Sequence, residues 1–292
     1  MKQQDCLRRF LFEDLNIRGE WVRLEHSWQQ AKQHQVLVNS AVESQLGQTL
    51  AAVVLLSATI KFKGSMIMQI QGSASLKALV AHASHDGRVR CLVRSDATVS
   101  GQDLPQMLGD GARLVLTVDS ENGESYQGIV GVAEANLAGV LQTYFSQSEQ
   151  LETSLWLFAN ATHAAGLFLQ AMPSETQDKT DWEHIEMLAN TLTEQELLSL
   201  DCEDLLHRLF HQEKVRLYDP KAIAFKCGCS RQKISGTLAA LGRSELEQVL
   251  HERGTIEVDC QFCGQHYLFD KIDVENLLTN PVVNENDTPT RH

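Results

Sequence analysis

Cys227 and Cys229 in a Cys-Gly-Cys, and Cys260 and Cys263 in a Cys-Gln-Phe-Cys, are the residues whose type and spacing could do chemistry. Four thiolates are a preferred zinc set. Thiolates are also the species that oxidants attack, so one such site can hold structure or sense redox state. Thirty residues separate the two pairs, more than in ordinary zinc ribbons, which makes the site zinc-like by ligand type and unusual by spacing. A static structural zinc is the plain alternative. Against it, a disulfide within either pair needs nothing from the other pair, so oxidation could satisfy all four sulfurs while cutting the link between them. A metal closing the loop from residue 229 to 260 constrains the chain by roughly 3 to 4 kcal/mol in the chain-entropy treatment, and metal binding adds on the order of 10 kcal/mol or more. A segment this small would lose its fold on losing both, and marginal helices beside it could follow.

Other candidates carry less. His266 lies three residues after Cys263 and could replace a thiolate. His207 and His211 share a helix face at i, i+4 with Cys202 and Glu203 nearby, where a solvated face is the simpler account. Cys6, Cys91 and Cys202 read as small buried residues. No phosphate loop or GxGxxG occurs, and Gly72-Ser73-Ala74-Ser75 is not a nucleophile elbow. The stretch from Lys226 to Arg243 holds Lys226, Arg231, Lys233 and Arg243 with no acid, the one place where nucleic acid could bind.

The elements that must position these groups fall into an N-terminal α+β region, residues 1–173, a helical linker, 174–226, and a small four-cysteine segment, 227–280, with a polar tail, 281–292. Ile17–Leu24 has strand character, and Ser40–Ser57 carries Val42, Leu46, Leu50, Val53, Val54 and Leu55 at helical spacing. Strands follow at Met66–Gln71, Arg88–Arg94 and Arg113–Val118. Glu121-Asn122-Gly123 then signals a hairpin into Tyr126–Val132. Ala135–Gln150 reads as a helix, and Ser154–Phe158 and Gly166–Gln170 as strands, in a predominantly antiparallel arrangement. After Pro173 the run from Ser174 to Asp181 has no apolar residue, the mark of a connecting segment. Amphipathic helices follow between Trp182 and Phe210. Thr193 with Glu196 forms a capping box, and Asp201 with Asp204 opens a further helix. Residues 174–226 hold twelve acidic and six basic side chains, so these helices need a surface to cover their apolar stripe. Ser244–Glu252 is helix-like within the cysteine segment.

A chain of 292 residues, 43% hydrophobic, is long enough for a large core. No signal-like start is seen and no segment approaches the ~20 apolar residues of a membrane span, which places the protein in the cytoplasm. Seven cysteines in a reducing compartment favour metal or redox chemistry over structural disulfides. A net charge of −13 disfavours a general nucleic-acid or membrane binder.

Several stretches together resemble the redox-regulated 33 kDa heat-shock chaperones of bacteria, holdases that work without ATP. They are Gln69-Ile70-Gln71-Gly72 with Leu76 and Leu79-Val80; Tyr144-Phe145-Ser146-Gln147-Ser148-Glu149-Gln150; and Leu197-Leu198 with Leu205 through Phe210. The similarity continues through Val215-Arg216-Leu217, Phe225 to Arg231 and Val258 to Cys263, covering about residues 7 to 278. The resemblance implies one zinc held by Cys227, Cys229, Cys260 and Cys263 in a reduced, inactive state. It implies oxidation to Cys227–Cys229 and Cys260–Cys263 disulfides, zinc release and linker unfolding. It further implies homodimerisation and binding of unfolding client proteins, with no enzymatic activity. A zinc-stabilised regulator or RNA-binding module using Lys226–Arg243 is the competing class. A thiol oxidoreductase ranks last, because the Cys-x-x-Cys lacks a βαβ context.

Overall fold

A computed structural model describes residues 5–59, 63–120, 125–173 and 179–279. By its internal contacts the chain divides into two compact units, Met1–Lys226 and Cys227–His292.

The first unit opens with β1 (Cys6–Phe12), β2 (Ile17–Leu24), α1 (His26–Lys32) and α2 (Ser40–Ala58). Next come β3 (Gly64–Gln71), β4 (Leu76–Ser84), β5 (Arg88–Ser95), α3 (Leu104–Leu108), β6 (Arg113–Ser120) and β7 (Ser125–Gly131). Helix α4 (Leu137–Tyr144) runs into a π-helical turn, Phe145–Glu149, and β8 (Thr153–Ala159) and β9 (Ala164–Ala171) follow. The unit ends with α5 (Lys179–Ala189), α6 (Glu194–Ser199), α7 (Cys202–Phe210), β10 (Val215–Leu217), β11 (Lys221–Ala222) and β12 (Ala224–Phe225).

Two six-stranded sheets result. One has the order β10-β1-β2-β9-β8 with β11 also on β1; the other has the order β12-β5-β4-β3-β6-β7. Helix α2 lies between them, and its Leu46, Leu50, Val53 and Leu55 join Met68, Ile70, Cys91 and Leu114 of one sheet and Val22, Leu24 and Phe168 of the other in one core. The first sheet is buried on its other face as well. There Phe10, Phe12, Trp21, Leu167 and Leu169 pack under Trp182, Ile185, Leu197, Leu205 and Phe210 of α5 to α7. Along β2 the alternation therefore separates two cores, with Ile17 and Trp21 facing the helices and Val22 and Leu24 facing α2.

The α+β expectation agrees with this architecture, with corrections in detail. Helix α2 is long and apolar enough by composition to cross a membrane, contrary to the expectation that no segment comes close, but two thirds of its apolar window, 67%, is buried inside the unit. The helix expected over Ala135–Gln150 ends at Tyr144 and widens into the π turn, which Gln150 closes at a left-handed φ of 55°. The Asn122-Gly123 turn lies outside the described residues, while β6 and β7 on either side pair antiparallel in hairpin register. Strands β1 and β4 and helices α1 and α3 had no element assigned to them from the sequence.

The second unit has α8 (Arg231–Leu241), α9 (Arg243–Arg253), the hairpin of β13 (Ile256–Asp259) and β14 (His266–Phe269), and α10 (Lys271–Thr279). Its core is small, and among the described residues Leu238, Leu246, Ile256, Phe269, Val274 and Leu277 form its buried apolar cluster. Helix α8 occupies the stretch read only for its positive charge, and α9 covers the expected Ser244–Glu252.

Candidate metal centre

The Cys-Gly-Cys ends immediately before α8. Ser230 caps that helix, its hydroxyl accepting from Lys233 N at 3.3 Å, so the helix start fixes where Cys229 leaves the chain. Cys260 and Cys263 sit in the tight turn between β13 and β14. Cys263 N and Gly264 N both donate to Cys260 O (3.2 and 2.7 Å), and Cys260 N donates to Gln265 O at 2.9 Å. Gly264 takes a φ of +67°, the left-handed conformation that lets the chain turn back at once. The hairpin register ends on Asp259 opposite His266, and their side chains are 2.8 Å apart.

These two segments bring all four sulfurs within 4.8 Å of one another. Cys227 Sγ lies 3.6 Å from Cys260 Sγ, and Cys229 Sγ lies 3.4 Å from Cys263 Sγ. Four sulfurs ~2.3 Å from a tetrahedral zinc would stand ~3.8 Å apart, so the donor set and its spacing suit that metal. Cys260 is buried and the other three are half-buried. Tyr267 on β14 donates its hydroxyl to Cys229 Sγ at 3.2 Å.

Electrostatics differentiates the thiols. Burial pushes Cys227 up, as it does Cys263. Burial acts on Cys229 in the same sense, but hydrogen bonds from Tyr267 and the other three thiols outweigh it and bring Cys229 down to about 7. A bound divalent cation would supply the charge needed to hold all four as thiolates.

The weaker candidates separate clearly. His266 is engaged by Asp259 and is not among the clustered donors. The rings of His207 and His211 are 5.9 Å apart on an exposed face, and no third donor joins them among the described residues. Cys6, Cys91 and Cys202 are buried; burial pushes the Cys91 and Cys202 thiols far up, leaving them inert in the folded chain. Two arginines of the Lys226–Arg243 stretch are held by acids of their own unit. Arg231 pairs with Asp273 at 2.7 Å and stacks on Phe269 at 4.2 Å, and Arg243 pairs with Glu247 at 2.9 Å. That weakens the case for an RNA surface there. Sequence reasoning missed Tyr267 and read Arg231 only for its charge, since neither an aromatic in a short strand nor a basic residue in a helix announces its partner.

Comparison with known proteins decides the lineage. The sequence matches the family described as Hsp33 protein over residues 5–270. The chain belongs to the Hsp33 family. A 33 kDa chaperonin of Nitrosococcus oceani is 53% identical over 293 residues, covering 100% of both chains. One from Shewanella woodyi is 41% identical over 279 residues, covering 95% of this chain and 96% of that one. The fold matches the crystal structure of the Thermotoga maritima 33 kDa chaperonin, an Hsp33 homologue, with a TM-score of 0.80 at 23% identity over 95% of this chain and 98% of that one.

Proposed function

We propose that the protein is a redox-regulated, ATP-independent chaperone of the cytoplasm, inactive when reduced and zinc-bound, that holds unfolding proteins after oxidation. The observation that carries this reading is the convergence of four thiols from two chain segments on one point in a unit whose core, among the described residues, is a cluster of six buried apolar side chains. Cys227, Cys229, Cys260 and Cys263 would hold one zinc ion, and when bound that ion supplies the cross-link the small core lacks.

Oxidation removes the donors. Two equivalents of peroxide take four electrons from the four thiols; each O–O bond breaks, two disulfides form and four waters leave. A disulfide sulfur carries no negative charge to hold a cation. We assign the bonds as Cys227–Cys229 and Cys260–Cys263. In the reduced chain sulfur contacts of 3.6 and 3.4 Å link Cys227 to Cys260 and Cys229 to Cys263, so closure within each pair calls for the side chains to rotate about Cα–Cβ. The segment 174–226 then acts as a redox-labile linker. Its helices α5 to α7 cover an apolar sheet face containing Phe10, Phe12, Trp21 and Leu167, and their departure would uncover both that face and their own stripe for clients. The acidic excess of the chain keeps such complexes soluble, and the oxidised form would work as a homodimer. No catalytic step, membrane or nucleic acid enters this function.

The test is light scattering from a chemically unfolded client diluted without ATP into the reduced, zinc-loaded protein or into protein oxidised by peroxide at heat-shock temperature. Suppression by the oxidised form alone supports the reading, with peptide mapping to identify the disulfides. Equal behaviour of both forms sinks it and leaves a structural zinc.

A further inference from the structure

The joint between α6 and α7 is held by two arginines that belong to the strands beneath it. Arg23 on β2 has a side chain only 13% exposed. Its Nη1 donates to Ser199 O and Leu200 O (3.1 and 2.7 Å), and its Nη2 to Asp201 Oδ1 at 2.5 Å. Leu200 caps the end of α6 and Asp201 precedes α7, so one guanidinium spans both helix ends. The carboxylate of Asp201 makes no capping bond to its own helix; Arg23 takes it instead. A cation at the C-terminal carbonyls of α6 also complements that helix's dipole.

Arg8 on β1 repeats the arrangement two residues further on, in the first turn of α7. Its side chain is 11% exposed, and it donates to Glu203 Oε1 and to Tyr218 O, both at 2.9 Å. In the sheet Cys6 pairs with Arg23, and Arg8 lies two residues along the same strand, so the two arginines flank one patch. Between the two ion pairs Cys202 is completely buried, in the same apolar core as Cys6. Arg208–Glu196, Lys214–Asp14 and Arg216–Glu13, also in this unit, have arginine or lysine side chains 38%, 74% and 61% exposed and are correspondingly weak.

We propose that Arg8 and Arg23 are the latch of the linker, positioning residues that determine how readily α6 and α7 leave the sheet. The geometry is independent of the redox reading, but the consequence for chaperone activity rests on it. Each guanidinium offers a fixed fork of donors to acceptors on separate segments, which a single ammonium cannot span. Removing one takes the charged donor from backbone carbonyls and a carboxylate; the arginines are largely buried while the Asp201 and Glu203 side chains are 42% and 55% exposed, so the loss is that of a half-buried, charge-assisted pair.

The experiment uses the full chain, reduced and zinc-loaded, as native protein and as Arg23→Ala, Arg23→Lys and Asp201→Asn. Amide exchange over residues 182–210 is read against exchange in α2, together with zinc content and the alkylation rate of Cys202. In Arg23→Ala, exchange and Cys202 alkylation should both rise about tenfold or more, the scale of losing a half-buried charge-assisted pair, with α2 and zinc unchanged. Arg23→Lys should recover only part of the protection. Asp201→Asn leaves the sheet untouched and should show a smaller rise, which keeps the test valid if Arg23→Ala does not fold. Native protection over 182–210 in both Arg23→Ala and Asp201→Asn overturns the latch, and so does full recovery by Arg23→Lys. If the linker opens as expected but no form of the protein, oxidised native included, suppresses aggregation, the chaperone reading fails and the latch stands.

Discussion

Tyr267 touches the candidate metal centre without being one of its candidate ligands, and its hydroxyl on Cys229 orients that sulfur. Groups that orient metal ligands typically contribute tenfold or more to affinity. Tyr267→Phe is expected to weaken zinc binding by about tenfold in competition with a chromophoric chelator; unchanged affinity would show that the bond matters only in the metal-free chain. A second residue-scale effect concerns Glu20 on β2, 3% exposed, whose Oε2 has no hydrogen-bond partner. Burial pushes its carboxyl up to about 8, against the opposing pull of Arg18, Arg9 and Lys221. Between the ordinary carboxyl range and about 8 the folded chain holds a proton that the unfolded chain has released. Stability from this group is therefore fully present below pH ~4.5 and falls as pH rises through the window to about 8, with a slope approaching ~1.4 kcal/mol per pH unit. Denaturant titrations of native protein and Glu20→Gln should differ by that slope, and parallel pH profiles would contradict it. The four thiols were legible because their type and spacing are unusual. Tyr267 and Glu20 were not, since a strand aromatic or acid takes its role from whatever lies opposite.

Among the elements, α7 shows how far periodicity reaches. Its apolar positions were readable at helical spacing, and Thr193 with Glu196 does form the capping box expected for α6, with Thr193 N donating to Glu196 Oε2 at 2.9 Å. What α7 packs on was not readable. Phe210 meets Phe12 of β1 edge-to-face, with centroids 5.0 Å apart at 87°, and is 2% exposed. Phe210→Ala should cost about 3 to 5 kcal/mol of local stability, seen as accelerated amide exchange in α7 with α2 unaffected; exchange at the native rate would mean that the aromatic pair does not hold the helix down. Strand β9 was found only in part, because every one of its residues from Ala164 to Ala171 is buried and a strand covered on both faces loses the alternation that marks one. The same sheet requires Gly19, where an added Cβ would come 2.1 Å from the Phe10 ring.

For the whole molecule, two compact units differ sharply in what stabilises them. The first has two extended cores around its sheets, while the second has a handful of buried apolar side chains and a thiol cluster. Stripping zinc from the reduced protein with a strong chelator should therefore unfold residues 227–279, while the β-sheet circular dichroism of the first unit persists. A second unit that keeps its amide protection without metal would make the cluster dispensable for folding. The sequence by itself determined the four-thiol donor set, the α+β character and the amphipathic acidic helices, because residue type, residue period and charge are local properties. Tertiary structure alone decided that α5 to α7 lie over Phe10, Phe12 and Trp21, that Asp201 serves Arg23 rather than its own helix, and that Arg231 faces Asp273. The first two sets of partners stand more than a hundred residues apart in the chain, and only the pairing of β1 with β2 and the packing of helices onto them brings those groups within reach; Arg231 meets Asp273 through the fold of the second unit.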